Sequence, residues 1–253
     1  MTQNHTGSDN SSQNHKSSPL RVELFFNISK MLGARAIAIP LLFVRALIIP
    51  KLVSPESYGL WRSLLLIIQY SKFSQLGTHQ AMVLEMSYLT GKGDWRRRQE
   101  VYNNTFYFNL IVSLIIVTGL ALLSFFSYGE FAGFYSHGFR VIAVVILITN
   151  LFDLYHQLLR IEKKFTLLSI LTTMTPVINL VLAVVLLMYI KNVLALAYAF
   201  AIANGISIFI VIRNSGWPKF QGIQFREMIR QIRVGLPIML IPLMFQLVKG
   251  VDQ

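Results

Sequence analysis

Apolar runs of about 18 to 25 residues recur from near Gly33 to the C-terminus, each long enough to cross a bilayer as a helix. A soluble core cannot hide that many such segments. The expected fold class is therefore all-α: a polytopic membrane protein with a six-helix transmembrane bundle and the start of a seventh helix. The balance of residues agrees. The chain is 54% hydrophobic and 13% charged, whereas a soluble domain carries roughly 25% charged residues. The formal charge of +12 would suggest nucleic acid in a soluble protein. Here the basic residues lie mostly in short loops between spans, as membrane topology requires, so no nucleic-acid partner is expected. The chain contains no cysteine, which excludes a disulfide framework, a thiolate metal site and a thiol nucleophile.

The expected spans cover residues 28–49, 58–77, 106–126, 139–159, 167–190 and 193–212, with a seventh from 234 to the end of the chain. Pro40 and Pro50 should kink and stop the first, and the second could continue as a helix to Tyr88. Residues 1–20 read as a polar tail, rich in Ser, Asn, Gln and His, with no apolar stretch typical of a signal peptide. Residues 21–212 form the bundle, 213–233 an amphipathic linker on the membrane surface, and 234–253 the beginning of a second bundle. Loops holding Arg96, Arg97 and Arg98, then Lys163 and Lys164, then Arg226, Arg230 and Arg233 alternate with loops poor in Lys and Arg. The positive-inside rule places those basic loops and the N-terminus in the cytoplasm.

Cations also sit inside the apolar runs: Arg35, Arg45, Arg62, Lys72 and Lys249. A charge near a bilayer centre costs a few kcal/mol or more, so such residues face water, a partner or a ligand. No acid lies within a few positions of Arg35 or Arg45. A positively lined interior suits an anionic substrate. On a straight second helix Arg62, Gln69 and Gln80 fall nearly in line, with Lys72 and His79 beside them. This arc could line a cavity. Alternatively Arg62 snorkels to headgroups and Gln69 bonds a neighbouring helix. Arg35 and Arg45 stand about 15 Å apart on a straight helix, too far to share one phosphate. Asn150, Asp153 and Gln157 share a face of the fourth span. Asp153 beside His156 could relay protons, or it could form a structural salt bridge to Arg35 or Lys72. Thr172, Thr175 and Asn179 flank Pro176 in the fifth span, either as a binding-site rim or as interhelical glue. No catalytic constellation appears, the histidines have no metal-ligand spacing, and neither a metal nor another cofactor is expected.

The segment Leu52-Val53-Ser54-Pro55-Glu56-Ser57-Tyr58-Gly59-Leu60-Trp61 resembles the loop after the first span of Wzx-like polysaccharide and O-antigen flippases. These are a branch of the multidrug/oligosaccharidyl-lipid/polysaccharide exporter superfamily. Leu76-Gly77, Gln157 to Phe165, and Val234-Gly235-Leu236-Pro237 look like later elements of the same pattern. The resemblance implies two bundles of about six helices each, working by alternating access in the bacterial cytoplasmic membrane. It implies an undecaprenyl-pyrophosphate-linked oligosaccharide as cargo for surface polysaccharide synthesis. Arg35, Arg45, Arg62 and Lys72 would then bind the anion, with Gln69, His79, Asn150, Asp153, Thr175 and Asn179 as polar lining. It also implies an incomplete transporter: a fragment, a truncated product, or a half that pairs with a second chain. The competing readings are a multidrug or metabolite antiporter of the same superfamily, which needs acidic lumen residues, and a membrane enzyme of the polysaccharide pathway, which needs a large loop or catalytic domain.

Overall fold

The structure, a computed structural model, describes residues 19–126, 132–218, 222 and 224–251, with side chains from 26 to 248 apart from 27, 132, 219–221 and 223. The expected tail lies almost wholly outside the described residues, as does the side chain of Lys249. Eight α-helices account for the described fold: α1 (Pro19–Leu52), α2 (Pro55–Ser71), α3 (Thr78–Lys92), α4 (Trp95–Phe125), α5 (Ala132–Ile161), α6 (Phe165–Ile190), α7 (Ala195–Ser215) and α8 (Phe225–Val251). No strand occurs among the described residues. The protein is an all-α polytopic membrane bundle. Six of these helices, α1 and α4 to α8, are long and apolar enough to cross a bilayer.

The second crossing is broken. α2 and α3 have 17 and 15 residues and are joined by a 3-10 turn, Lys72–Gln75. After that turn Leu76 and Gly77 both take left-handed backbone, at φ 50° and 76°. α2 starts where the sequence demands it. Ser54 caps it by accepting from the Ser57 amide at 3.3 Å, and Pro55 occupies the first turn, where no amide is needed. α3 ends at Gly93, whose left-handed backbone lets its amide reach the carbonyls of Leu89 and Thr90. Asp94 then caps α4, accepting from the Arg97 amide at 3.1 Å. That cap explains why α4 begins eleven residues before the expected third span (106 − 95): polar first turns are helical once capped.

Contacts between ends show that α2 and α3 together return the chain to the side where α1 begins. Lys30 on α1 donates to Thr166 on α6 at 3.1 Å, and Tyr155 on α5 donates to the Gly216 carbonyl after α7 at 3.2 Å. Tyr107 on α4 donates to the Pro218 carbonyl at 3.0 Å, and Arg97 lies 3.9 Å from Glu227 on α8. The N-terminal ends of α1, α4, α6 and α8 therefore share one side with the C-terminal ends of α5 and α7. α1 finishes on the other side, so the α2–α3 pair must return the chain. The basic loops all gather at that first side.

The helices pack as α1 on α6, α6 on α7, α7 on α5, α5 on α4, and α3 on both α4 and α8. Two apolar clusters fill the interior. One holds Trp61, Leu64, Ile142, Ile146 and Leu196; the other, toward the basic end, holds Met82, Met86, Phe106, Tyr155 and Leu171. Between them runs a polar layer. Asn150 donates to Ser113 at 2.9 Å, Thr175 bonds Ser207 at 2.6 Å, and Asn109 bonds His79 at 2.5 Å. Such bonds satisfy groups that lipid cannot.

α8 is one continuous helix, with Pro237 and Pro242 inside it. The stretch 225–233, expected as a separate surface helix, runs straight into the seventh span. Its first turns are pinned to α3 and α4. Arg230 bonds Glu85 and lies 2.6 Å from Glu227, while the Thr105 hydroxyl donates to the buried Gln231 at 3.0 Å. These partners hold the amphipathic segment against protein, where a helix on the membrane surface would be loose.

Candidate functional site

The break in the second crossing sets the site. A straight helix would have placed Lys72 and His79 beside the line of Arg62, Gln69 and Gln80. The 3-10 turn that begins at Lys72 and the left-handed pair Leu76-Gly77 break that alignment, and Lys72 stands at the end of α2 facing α5. There Lys72 Nζ meets Asp153 Oδ2 at 2.8 Å. Of the readings open for Asp153, the salt bridge to Lys72 is the one the structure contains. The two side chains are 45% and 31% exposed.

One turn further along α5, His156 faces a cavity of about 230 Å³ between α1, α5 and α6. Arg35 from α1, Arg160 from the last turn of α5, Phe152, Thr172 and Thr175 complete its wall. The cavity wall itself carries two fixed cations, Arg35 and Arg160, and no carboxylate. No acid among the described residues pairs with Arg35 or Arg160. Arg160 Nε is also buried with no hydrogen-bond partner among the described residues. A buried guanidinium nitrogen without an acceptor is costly, and such exceptions call for a ligand or water.

The other residues singled out from sequence scatter. Arg45, half-buried, sits near Tyr58 at the far end of α1. Arg62 is half-buried in α2, away from that cavity wall. Gln69 accepts from Gln246 of α8 at 2.7 Å, a helix-to-helix bond. His79 is buried against Asn109, yet with Gln80, Gln157 and Ile238 it also edges a second cavity of about 280 Å³. Asn150 is fully buried between α4 and α5, and Asn179 is 4% exposed. Both therefore sit in helix interfaces, off the cavity wall, because α4, α5, α6 and α7 pack closely at mid-depth. Thr175 does both, lining the cavity and bonding Ser207. Sequence reading missed Arg160 as a site residue, since it falls just past the expected end of the fourth span at residue 159. Its position four residues after His156 on a continuing helix was the available signal. Among the described residues no group of acids and histidines could hold a metal ion.

Bundle, broken second crossing and cationic cavity define a multi-span helical membrane protein. The chain belongs to the polysaccharide biosynthesis protein family, whose pattern it matches over residues 48–253. No curated protein matches it closely enough to count. Among solved structures it is similar to a mutant of the Vibrio cholerae MATE transporter VcmN, at 19% identity and a TM-score of 0.70, covering 87% of this chain and 53% of that one. The bent form of the same transporter gives 18% identity and a TM-score of 0.69, covering 90% of this chain and 56% of that one. A MOP-superfamily transporter from Pyrococcus furiosus, described as having a binding pocket of reverse polarity that suggests a different function, gives 19% identity and 0.64, with 85% and 52% covered. The chain spans about half the length of the transporters it resembles.

Proposed function

We propose that this chain serves to move an anionic lipid-linked oligosaccharide across the bacterial cytoplasmic membrane by alternating access, with no catalytic role. A second bundle, from the same or another polypeptide, would close the path. The cargo class is an undecaprenyl-pyrophosphate-linked sugar chain. Arg35 and Arg160 hold its pyrophosphate, Lys72 stands nearby, and Arg45 and Arg62 mark the outer part of the route. The N-terminus lies in the cytoplasm, so the cavity sits on the side where such cargo is made.

One observation carries the reading: Arg35 and Arg160 reach one cavity with no acid of their own, and Arg160 Nε lacks an acceptor. Guanidinium groups suit phosphate because they donate in a fixed planar fork. An antiporter for cationic drugs would need a free lumen carboxylate, and the one beside this cavity is already engaged by Lys72.

Binding to the purified 253-residue chain in nanodiscs provides the test, with farnesyl diphosphate as probe and farnesol as its uncharged counterpart. Charge-assisted hydrogen bonds are worth about 1.5–3 kcal/mol, so Arg35→Gln and Arg160→Gln should each weaken the diphosphate about tenfold or more. Farnesol should be unaffected by either. Equal affinity for the two probes, or indifference to both substitutions, overturns the proposal.

A further inference from the structure

On the basic side of the bundle, where α4 begins, lies a cavity of about 550 Å³. Arg96, Gln99, Glu100, Asn103 and Asn104 of α4 form one wall, and Gln224, just before α8, stands on the other. Every side chain on the wall is polar. The α4 residues all precede Phe106, where the apolar part of that helix starts, so the cavity lies outside the hydrocarbon zone. It shares no lining residue with the arginine cavity.

The lining narrows what could fit. Arg96 Nε lies 3.3 Å from Glu100 Oε1, so the wall carries no net charge, although Arg97 and Arg98 follow directly. An anion therefore gains little there. No lining side chain has a ring on which a nucleobase could stack, and none is apolar enough to hold a lipid tail. Four primary amides remain, from Gln99, Asn103, Asn104 and Gln224. Each offers a carbonyl acceptor and two N–H donors side by side. A hydroxyl group is likewise donor and acceptor at once, so neighbouring hydroxyls on a sugar ring match such a wall.

Internal bonds use only part of this capacity. Gln99 Nε2 donates to Asn103 Oδ1 at 3.2 Å, and the Gln224 backbone amide donates to Asn104 Oδ1 at 3.0 Å. The second bond holds the chain before α8 against α4 and so shapes the cavity. Asn103 is 1% exposed, yet its Nδ2 has no hydrogen-bond partner. An ordinary polar helix start would leave that amide in water. A buried donor left unpaired costs about 1–3 kcal/mol, and such a group calls for a ligand or a water.

We propose that this cavity is a carbohydrate site that takes a neutral pyranose through its hydroxyl or acetamido groups. Gln99, Asn103 and Gln224 bind the sugar, and Asn104 is a positioning residue that fixes the opposite wall. The site does not depend on the arginine cavity. Its sugar is either free in solution or carried on a lipid.

Saturation-transfer NMR on the purified chain in nanodiscs tests this, with methyl glucoside, methyl galactoside and N-acetylglucosamine as probes. At least one should bind saturably. A neutral hydrogen bond is worth about 0.5–1.5 kcal/mol, so Gln99→Ala and Gln224→Ala should each weaken that sugar about three- to tenfold. Both residues are exposed, so neither substitution endangers the fold. Asn103→Ala should weaken it as well, and the exposed pair decides the matter if that buried variant unfolds. Arg35→Gln should leave sugar binding unchanged, so failure of the diphosphate site and failure of this one are read separately. The farnesyl-diphosphate-linked form of the binding sugar identifies its source. If the linked form is as sensitive to Gln99→Ala, the ligand is a lipid-linked sugar; if it is insensitive, the ligand is a free one. No saturable binding of any of the three probes, or binding that ignores both Gln99→Ala and Gln224→Ala, overturns the proposal.

Discussion

Gly77 and Gly235 meet main chain to main chain where α8 crosses the break in the second span. A Cβ built on either would overlap the other's backbone, and at Gly77 it would also stand 2.8 Å from the Leu236 amide nitrogen. Gly77 needs its freedom twice, since its φ of 76° already disfavours a side chain. Gly235 lies inside a helix, where alanine would otherwise gain about 0.5–1 kcal/mol. Overpacking costs about 1–3 kcal/mol, and here the obstacle is backbone, which cannot rotate away. Gly235→Ala should therefore lower the thermal unfolding midpoint of the purified chain by several degrees. Gly205→Ala, whose Cβ would meet nothing within 4 Å, should leave it level or raise it. Equal midpoints for the two variants would show that α8 does not rest on Gly77. At the same scale, sequence could name Asp153 and both of its possible partners. It could not choose Lys72 over Arg35, because the choice turns on how α1, α2 and α5 pack together, which a helical wheel does not contain.

α8 is the element on which sequence and structure differ most. Its first turns carry alternating apolar and basic residues, the pattern of a helix lying on a membrane surface. The pattern is real, but its polar face is answered by protein. Arg230 finds Glu85 and Glu227, Gln231 finds Thr105, and Gln246 reaches Gln69 at 2.7 Å. Long-range partners of this kind leave no mark in local periodicity. The long apolar helices, by contrast, were legible from hydropathy alone, apart from capped polar extensions such as the start of α4 at Trp95. The break between α2 and α3 falls between these cases. Leu76-Gly77 signals a turn, yet the polar arc on either side reads as one helix. Because the chain has no cysteine, α8 can be tested directly. A Gln69→Cys/Gln246→Cys double variant should cross-link in the membrane with a short bifunctional maleimide, which spans the gap the two glutamine side chains fill. Adding Arg230→Ala should slow that cross-link, since it frees the near end of α8 from α3. A cross-link rate that ignores Arg230 would mean that the ion cluster does not position the helix.

On the scale of the whole molecule, one side of the bundle gathers nearly every exposed cation, and Arg160 of the cavity wall lies in the last turn of α5 on that side. Arg96, Arg97 and Arg98 begin α4, Lys163 and Lys164 precede α6, and Arg226, Arg230 and Arg233 open α8. The opposite side has far fewer, with Lys51 and Lys191 at helix ends and Arg140 tied to Ser124 at 2.9 Å. Asymmetry in short loops decides which way a chain inserts, so the basic side should be cytoplasmic. Single cysteines make the test simple in a chain that has none. In intact cells, Tyr135→Cys at the start of α5 should react with a membrane-impermeant maleimide. Trp95→Cys at the start of α4 should react only after the membrane is opened. Both positions lie at helix ends, and Trp95 is 60% exposed, so access is not the obstacle. The reverse labelling order would turn the bundle over. Arg35 and Arg160 would then open to the outside, and a carrier loading a lipid diphosphate made in the cytoplasm could not use that cavity for uptake. Orientation and cargo therefore stand together, and the labelling result bears on both.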